Sequence, residues 1–331
     1  MTGTSSPSTP RVVGAVDCGT NSTRLLVARL GDDGELVTIE RLMRITRLGQ
    51  GVDATGRLEL EAIGRTTDVL AEYRSVLERH GATEVRATAT SAARDAANRD
   101  DFFDPATAAL GSRPELLAGD EEGRLSFLGA TADLPVPGGP YLVADIGGGS
   151  TELVVGSFPP SGRPDVGGVT SLDVGCVRVT ERHLHHDPPT TDELDEASGY
   201  LGTRIAEALD DLPGARGASL LGLAGTVSTV AAVEQGLATY DRDRIHHAVL
   251  TTASIEAITD RLAALPVAAR AEVPGVEPGR AEVIVGGCLV LRALVRAAGV
   301  ASLVVSEADI LDGLAMSLLA GTPDGVGGAD G

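Results

Sequence analysis

The first apolar run of the chain, Val12-Val13-Gly14-Ala15-Val16, breaks at Asp17-Cys18-Gly19-Thr20-Asn21-Ser22-Thr23 and resumes from Leu25 to Leu30. Two short apolar runs around a tight, glycine-containing polar turn predict a β-hairpin. The same figure returns 128 residues later, where a strand ending Tyr141–Ala144 meets Asp145-Ile146-Gly147-Gly148-Gly149-Ser150-Thr151-Glu152-Leu153 and continues as Leu153–Gly156. Laid together without a gap, Asp17–Leu25 and Asp145–Leu153 share Asp, Gly, Ser, Thr and Leu at five of nine positions. A third apolar stretch follows each hairpin, at 37–45 and at 168–174, and helical stripes come next. Within 58–81, Leu60, Ile63, Thr67, Leu70, Tyr73 and Leu77 recur at helical spacing, and Gly81 ends the helix. Later strands come singly, at 85–90, 219–225 and 302–306, each leading into a helix. Three meandering strands followed by βα units predict a mixed sheet with helices on both faces, and two such halves predict an α/β molecule of two lobes with a cleft between them.

The turn-rich connector LPVPGGP (134–140) sets the boundary after the helix expected at 120–132. The expected layout is a disordered tail at 1–10, lobe I at 11–132, lobe II at 133–308, a last helix at 309–319 returning to lobe I, and a tail at 320–331. SFPPSGRPD (157–165) reads as a longer hairpin loop.

Composition agrees with this layout. The 331 residues suit about two domains, and 42 glycines with 2% aromatic residues imply cores packed with Ala, Val and Leu. Cys18, Cys176 and Cys288 are odd in number and scattered, which supports neither a disulfide framework nor a CxxC zinc site. The first ten residues have neither the basic nor the apolar segment of a secretory leader, and no apolar run approaches the ~18 residues of a membrane helix. We therefore expect a cytoplasmic protein with no membrane partner. A net charge of −20 argues against nucleic acid as a partner, yet a few arginines, backbone amides and a divalent cation can still make a local anion site.

The two turns are where such a site would form. Glycine allows close approach of a ligand to the backbone, and successive N–H groups make an anion nest, here Gly19 in the first turn and Gly147, Gly148 and Gly149 in the second. Thr20, Asn21, Ser22, Ser150 and Thr151 add neutral donors suited to phosphate oxygens. Asp17 and Asp145, acceptor-only when ionised, imply a bridging Mg²⁺ or a positioned water beside a phosphate. The plainer reading is that Asp, Gly and Ser serve turn propensity alone, and the repetition of one order in two turns weighs against it.

DCGTNSTRL and DIGGGSTEL resemble the two phosphate motifs of the superfamily of acetate and sugar kinases, heat-shock chaperones and actin. More narrowly, DCGTNSTRLLVA, ATATSAARDAANRDDF, GDEEGRLSFLGA, DIGGGSTEL, GLAGTVST and RAEVIVGG follow the order of the exopolyphosphatase and guanosine pentaphosphate phosphatase family, from about Arg11 to Leu319. The resemblance implies two actin-like (ribonuclease H-like) lobes, each a mixed five-stranded sheet flanked by helices, in the short form without an extra C-terminal helical domain. It implies Mg²⁺-dependent hydrolysis of the terminal phosphate of polyphosphate or of guanosine pentaphosphate, and a homodimer. Asp17, Gly19, Thr20, Asn21, Ser22, Gly147, Gly148, Gly149, Ser150 and Thr151 would then bind phosphate, with Asp145 and Glu152 holding the cation.

Hydrolysis also needs a base to aim water at phosphorus. In GDEEGRL, Asp120 reads as an N-cap, with Glu121 and Glu122 complementing the helix dipole. The resemblance makes Glu121 the catalytic base, one position from its alternate Glu122. It also puts Arg94 on substrate phosphate, where a guanidinium grips two oxygens. Arg24 and Arg124 are weaker candidates, Gly123 stands where the family has Ala, and VSEADILDGLA replaces the family's arginine-and-glycine version of that segment. GLAGT (222–226), at a strand-to-helix turn, keeps a nucleotide in view or needs no ligand at all. HLHHDPP (183–189) and His246-His247 suggest structural or surface roles, since the Pro pair ends any helix and adjacent histidines do not easily face one site. The superfamily also holds kinases and noncatalytic nucleotide-binding modules, from which Glu121 and Arg94 set this chain apart.

Overall fold

A computed structural model describes residues 11–134, 138–158 and 164–320. Both expected tails lie outside the described residues, apart from Ala320, as do the centre of the connector, 135–137, and the tip of the hairpin loop, 159–163.

Among the described residues, eleven strands form two sheets. The first sheet contains β1 (Val12–Cys18), β2 (Ser22–Leu30), β3 (Leu36–Ile45), β4 (Glu84–Ala89) and β5 (Glu115–Leu116), in the order β3-β2-β1-β4-β5. The second contains β6 (Gly138–Ile146), β7 (Thr151–Phe158), β8 (Asp165–Leu172), β9 (Ser219–Leu223), β10 (Val249–Thr251) and β11 (Ser302–Val305), in the order β10-β11-β9-β6-β7-β8. Each begins with an antiparallel meander and continues in parallel through β1·β4 and β6·β9. The expected five strands hold for the first sheet. The second has six, because the three-residue β10 pairs antiparallel on the outer side of β11, too short to carry a periodic signal.

Helices cover the sheets as their apolar stripes require. The helix Leu60–Arg79 buries Ile63, Thr66, Leu70, Tyr73 and Leu77, but Leu60 in its first turn is 78% exposed. The last helix, Ile310–Leu319, returns to the first sheet and packs Ile310, Leu311, Leu314 and Ala315 against Val13, Ala15, Leu26 and Ala28.

The helix Gly119–Thr131 departs from the expected boundary at 132. It lies on the second sheet, where Phe127 and Ala130 join Val143, Val154, Leu221 and Leu223. The two exchanged helices cross backbone to backbone: a Cβ on Gly129 would lie 2.0 Å from the Asp309 carbonyl oxygen, and one on Gly313 would lie 2.1 Å from that of Leu125. Only glycine fits at either point. Gly123 has a related cause, since a Cβ there would meet Val154 and Val169 at 3.0 Å, so it serves close packing on the second sheet rather than backbone freedom. This crossing carries the helix that bears the candidate base onto the sheet that bears the second polar turn.

Candidate active site

The two polar turns are built alike. Gly19 N–H donates to Ser22 O and Gly147 N–H to Ser150 O, both at 3.0 Å. They abut across the cleft: a Cβ on Gly148 would lie 2.9 Å from Thr20 Cβ, and one on Gly149 would lie 2.5 Å from Ser91 Oγ and 2.9 Å from Thr20 Oγ1. Glycine is required here by the approach of the opposite lobe. Facing it, Thr20 Oγ1 and Asn21 Nδ2 are buried with no hydrogen-bond partner among the described residues. A buried donor without an acceptor costs about 1–3 kcal/mol, and two of them side by side fit an anion held at this point. Ser150 is buried beside them, and its hydroxyl is within reach of Glu152.

Four carboxylates surround the turns. Asp145 and Glu152 are directly opposed across β6 and β7, so both project from one face of the sheet. Asp145 accepts from Ser126 Oγ at 2.7 Å and Glu152 from Ser171 Oγ at 2.7 Å. Burial pushes the Asp145 carboxyl up to about 6, against the pull of Arg24. Burial also lifts that of Glu152, with Glu122 and Asp145 adding repulsion. Asp17, at the matching place in the first turn, receives Arg24 Nη2 at 2.8 Å and Nε at 3.1 Å, although burial still holds its carboxyl above the usual value. A dry cluster of hard oxygen donors with too little local positive charge fits a divalent cation of the Mg²⁺ kind, with Asp145 and Glu152 as its ligands.

The fourth carboxylate is Glu122. Helix Gly119–Thr131 begins after Ala118, so Asp120 is inside the first turn and is not the N-cap. Successive helical residues point about 100° apart, and Glu121 and Glu122 diverge accordingly. The Glu121 side chain, 51% exposed, lies outside the cleft and pairs with Arg86 at 3.0 Å. The Glu122 side chain, 12% exposed, accepts from Arg94 Nη1 at 2.7 Å. Burial, opposed by Arg94, pushes its carboxyl up to about 7. Arg94 also donates to Leu117 O at 2.9 Å and comes to 4.0 Å from Glu152.

The structure thus brings Asp17, Gly19, Thr20, Asn21, Arg94, Gly147, Gly148, Gly149, Ser150, Asp145 and Glu152 together, but not Glu121. Ser22 opens β2, and its carbonyl closes the first turn. Thr151 Oγ1 donates to Val174 O at 2.6 Å, so that hydroxyl secures a loop instead of facing the cleft. Arg24 joins Asp17 to Asp309 in the departing segment VSEADILDGLA, while Arg41 pairs with Asp312. Sequence reasoning missed Ser126, whose only signal was polarity within a helical stripe, and Asp309, which caps the last helix.

A cavity of about 620 Å³ opens beside this centre. Arg24, Arg41, Arg242 and Arg280 reach it, and Leu42, Met43, Leu237 and Val276 give it an apolar wall. GLAGT borders it where Ala224 takes the left-handed φ of 68° and Gly225 packs under the Arg280 guanidinium. Elsewhere, His186 pairs with Glu193 at 2.8 Å and Asp187 with Arg270 at 3.1 Å, so HLHHDPP does not converge. His246 and His247, expected to face apart, stack at 3.8 Å with Asp133 beside both, because His247 has a φ of 60°. His246 Nδ1 accepts the Glu307 N–H at 3.0 Å, so its Nε2 carries the proton that goes to Asp133 at 2.6 Å. That is a hydrogen-bonded clamp, since a ligating imidazole would donate through its other nitrogen.

With the two turns and their carboxylates in place, the comparison with known proteins is decisive. Residues 26–321 match the model of the Ppx/GppA phosphatase family. This chain belongs to that family. It is 46% identical over 318 residues to exopolyphosphatase 2 of Mycobacterium tuberculosis, covering 92% of this chain and 98% of that one. It is 29% identical over 313 residues to the guanosine-5'-triphosphate,3'-diphosphate pyrophosphatase of Vibrio atlanticus, covering 94% of this chain and 60% of that one. The crystal structure of an exopolyphosphatase-like protein matches it with a TM-score of 0.87 at 38% identity, over 93% of this chain and 97% of that one. The fold is that of the two-lobed family structures. Among the described residues no helix is long and apolar enough to cross a membrane.

Proposed function

We propose that this protein is an exopolyphosphatase that removes the terminal phosphate of inorganic polyphosphate as orthophosphate, with Glu122 as the base. One observation carries the assignment: the Glu122 side chain is largely buried and held at 2.7 Å by Arg94 at the junction of the two turns, while Glu121 turns out to Arg86; burial pushes the Glu122 carboxyl up to about 7. General bases work best when their pKa lies near the working pH. The name of the M. tuberculosis relative supports the same activity.

The terminal phosphate binds where the two turns meet, taking hydrogen bonds from Thr20 Oγ1 and Asn21 Nδ2 and from the amides of Gly148, Gly149 and Ser150, the Gly147 amide being closed onto Ser150 O. Asp145 and Glu152 would hold the divalent cation, which would supply charge neutralisation to the phosphoryl oxygens. Glu122 accepts the proton of the attacking water as its oxygen bonds to phosphorus. The anhydride bond on the opposite side breaks, and the electron pair leaves on the shortened chain. Arg94 opposes the rise that burial imposes on Glu122 and steadies the charge that develops on the phosphoryl group. The shortened chain occupies the adjoining cavity, where Arg242 and the ion-paired Arg24, Arg41 and Arg280 stand among Glu277, Glu307 and Asp309. Mg²⁺ as the specific ion, a cytoplasmic location and a homodimer belong to this reading through family membership alone.

The apolar wall of that cavity favours a second reading, guanosine pentaphosphate, because a nucleoside needs apolar cover that a phosphate chain does not. The test is orthophosphate release with Mg²⁺ from tripolyphosphate, long polyphosphate and guanosine pentaphosphate. Turnover of the polyphosphates supports the first reading, turnover of the nucleotide alone replaces it with the second, and turnover of none overturns both.

A further inference from the structure

Behind the second turn lies the helix Cys176–His183 of the same lobe, and it takes the turn's carbonyls one after another. Cys176 N–H donates to Gly147 O at 3.0 Å, Val177 N–H to Gly148 O at 2.8 Å, and Arg178 Nε to Gly149 O at 2.7 Å. In a trans peptide the C=O and the following N–H point in opposite directions. The amides of Gly148, Gly149 and Ser150 therefore face away from the helix N–H groups and the Arg178 guanidinium that take those carbonyls. A Cβ on Gly175 would lie 2.5 Å from Gly148 O, so the helix can come this close only through a glycine.

Arg178 does more than close the turn. Its side chain is 10% exposed and runs on into the first lobe, where Nη1 donates to Asp53 Oδ1 at 2.6 Å and Nη2 meets the Asp95 carboxylate. Nη2 is also 3.4 Å from Ser91 Oγ, the group that packs on Gly149. One guanidinium thus ties the Gly149 carbonyl of lobe II to two carboxylates of lobe I. Arg182 adds a second, outer link to Asp53, and Glu181 accepts the Gly51 N–H at 3.0 Å. An arginine is required at position 178, since a planar fork of five donors spans three acceptors and an ammonium does not.

We infer that Arg178 is a positioning residue for phosphate release: anchored by Asp53 and Asp95, it holds the Gly149 carbonyl back and aims the Ser150 amide at the terminal phosphate when the lobes are together. The inference rests on reading this turn as a phosphate cradle. Arg178 touches neither substrate nor water, and it acts through the peptide it orients.

The test compares Arg178→Lys, and Asp95→Asn with the arginine kept, against the wild type. The measurements are kcat and KM for tripolyphosphate with Mg²⁺, the melting temperature, and amide hydrogen exchange of the segment 147–152 without substrate. We expect Arg178→Lys to lower kcat/KM about 100-fold, as misaligned groups do, with KM raised and exchange at 148–150 faster in folded protein. Asp95→Asn should move all three the same way, by about tenfold in kcat/KM. If both variants lose only melting temperature while KM and exchange at 148–150 stay at wild-type values, Arg178 is packing and the inference is wrong. Should Arg178→Lys fail to fold, Asp95→Asn decides by the same criteria. The exchange measurement needs no turnover, so a wild type inactive on every phosphate substrate would sink the proposed function while the latch is still tested.

Discussion

The two polar turns share a sequence pattern, a strand register and the same closing hydrogen bond, yet they differ at one cross-strand partner. Opposite Asp17 stands Arg24; opposite Asp145 stands Glu152. In the first turn the charge is matched inside the protein, and the guanidinium goes on to Asp309. In the second, two carboxylates confront each other in a dry place, with serine hydroxyls as their hydrogen-bond donors and Arg94 4.0 Å from Glu152. The donors differ as well. The first turn offers the side chains of Thr20 and Asn21, whereas the second has three glycines and offers backbone amides oriented by the helix behind it. The same architecture thus gives one turn whose carboxylate is paired inside the protein and one where two carboxylates face each other, through a single change of charge on a neighbouring strand.

The largest break in this contrast should come from the aspartates. Asp145→Asn is expected to lower kcat about 100-fold, with weaker Mg²⁺ dependence in orthophosphate-release assays and a melting temperature at or above wild type, because a repelled buried charge is lost. Asp17→Asn should instead leave the Mg²⁺ dependence as in wild type and stability within about 1 kcal/mol in denaturant unfolding, since relief of a buried charge offsets the weakened pairing with Arg24, which keeps Asp309.

Next in size is Gly148→Ala. Its φ suits any residue, but the methyl would press on Thr20 and the Asn21 amide. The lobes should be held apart, with KM for polyphosphate raised about tenfold, about 1.4 kcal/mol of binding. Thr20→Val separates function from folding: removing an unpaired buried hydroxyl should stabilise the protein by about 1 kcal/mol while weakening phosphate binding severalfold. The smallest effect belongs to Thr151→Val, which loses the hydrogen bond to Val174 O and about 1 kcal/mol of stability with KM unchanged. A raised KM there would return Thr151 to the phosphate site.

Much of this was legible in the sequence. The repeated Asp-Gly-Ser-Thr order located both turns, and hydrophobic spacing located the strands that carry them. What was not legible depended on tertiary packing. No local pattern tells which of Glu121 and Glu122 turns inward; that follows from the exchange of helix Gly119–Thr131 onto the second sheet, fixed by contacts of Gly123, Gly129 and Gly313 with distant backbone and side chains. Likewise the partnership of Arg24 with Asp309 spans most of the chain, and the convergence of His246 and His247 on Asp133 hangs on one left-handed residue. The edge strand β10 was too short to show a period.

The chemistry of the site depends on which glutamate faces the cleft. The direct measurement is the pH dependence of kcat/KM for orthophosphate release from polyphosphate by wild type, Glu122→Gln and Glu121→Gln. A carboxyl raised to about 7 must lose its proton to act as a base, so wild-type kcat/KM should climb with pH through a limb near 7. Glu122→Gln should lose that limb and about 100- to 10,000-fold in kcat. Glu121→Gln, which breaks only an exposed pair with Arg86, should stay within about twofold of wild type. An inactive Glu121→Gln beside an active Glu122→Gln would contradict the account at its centre.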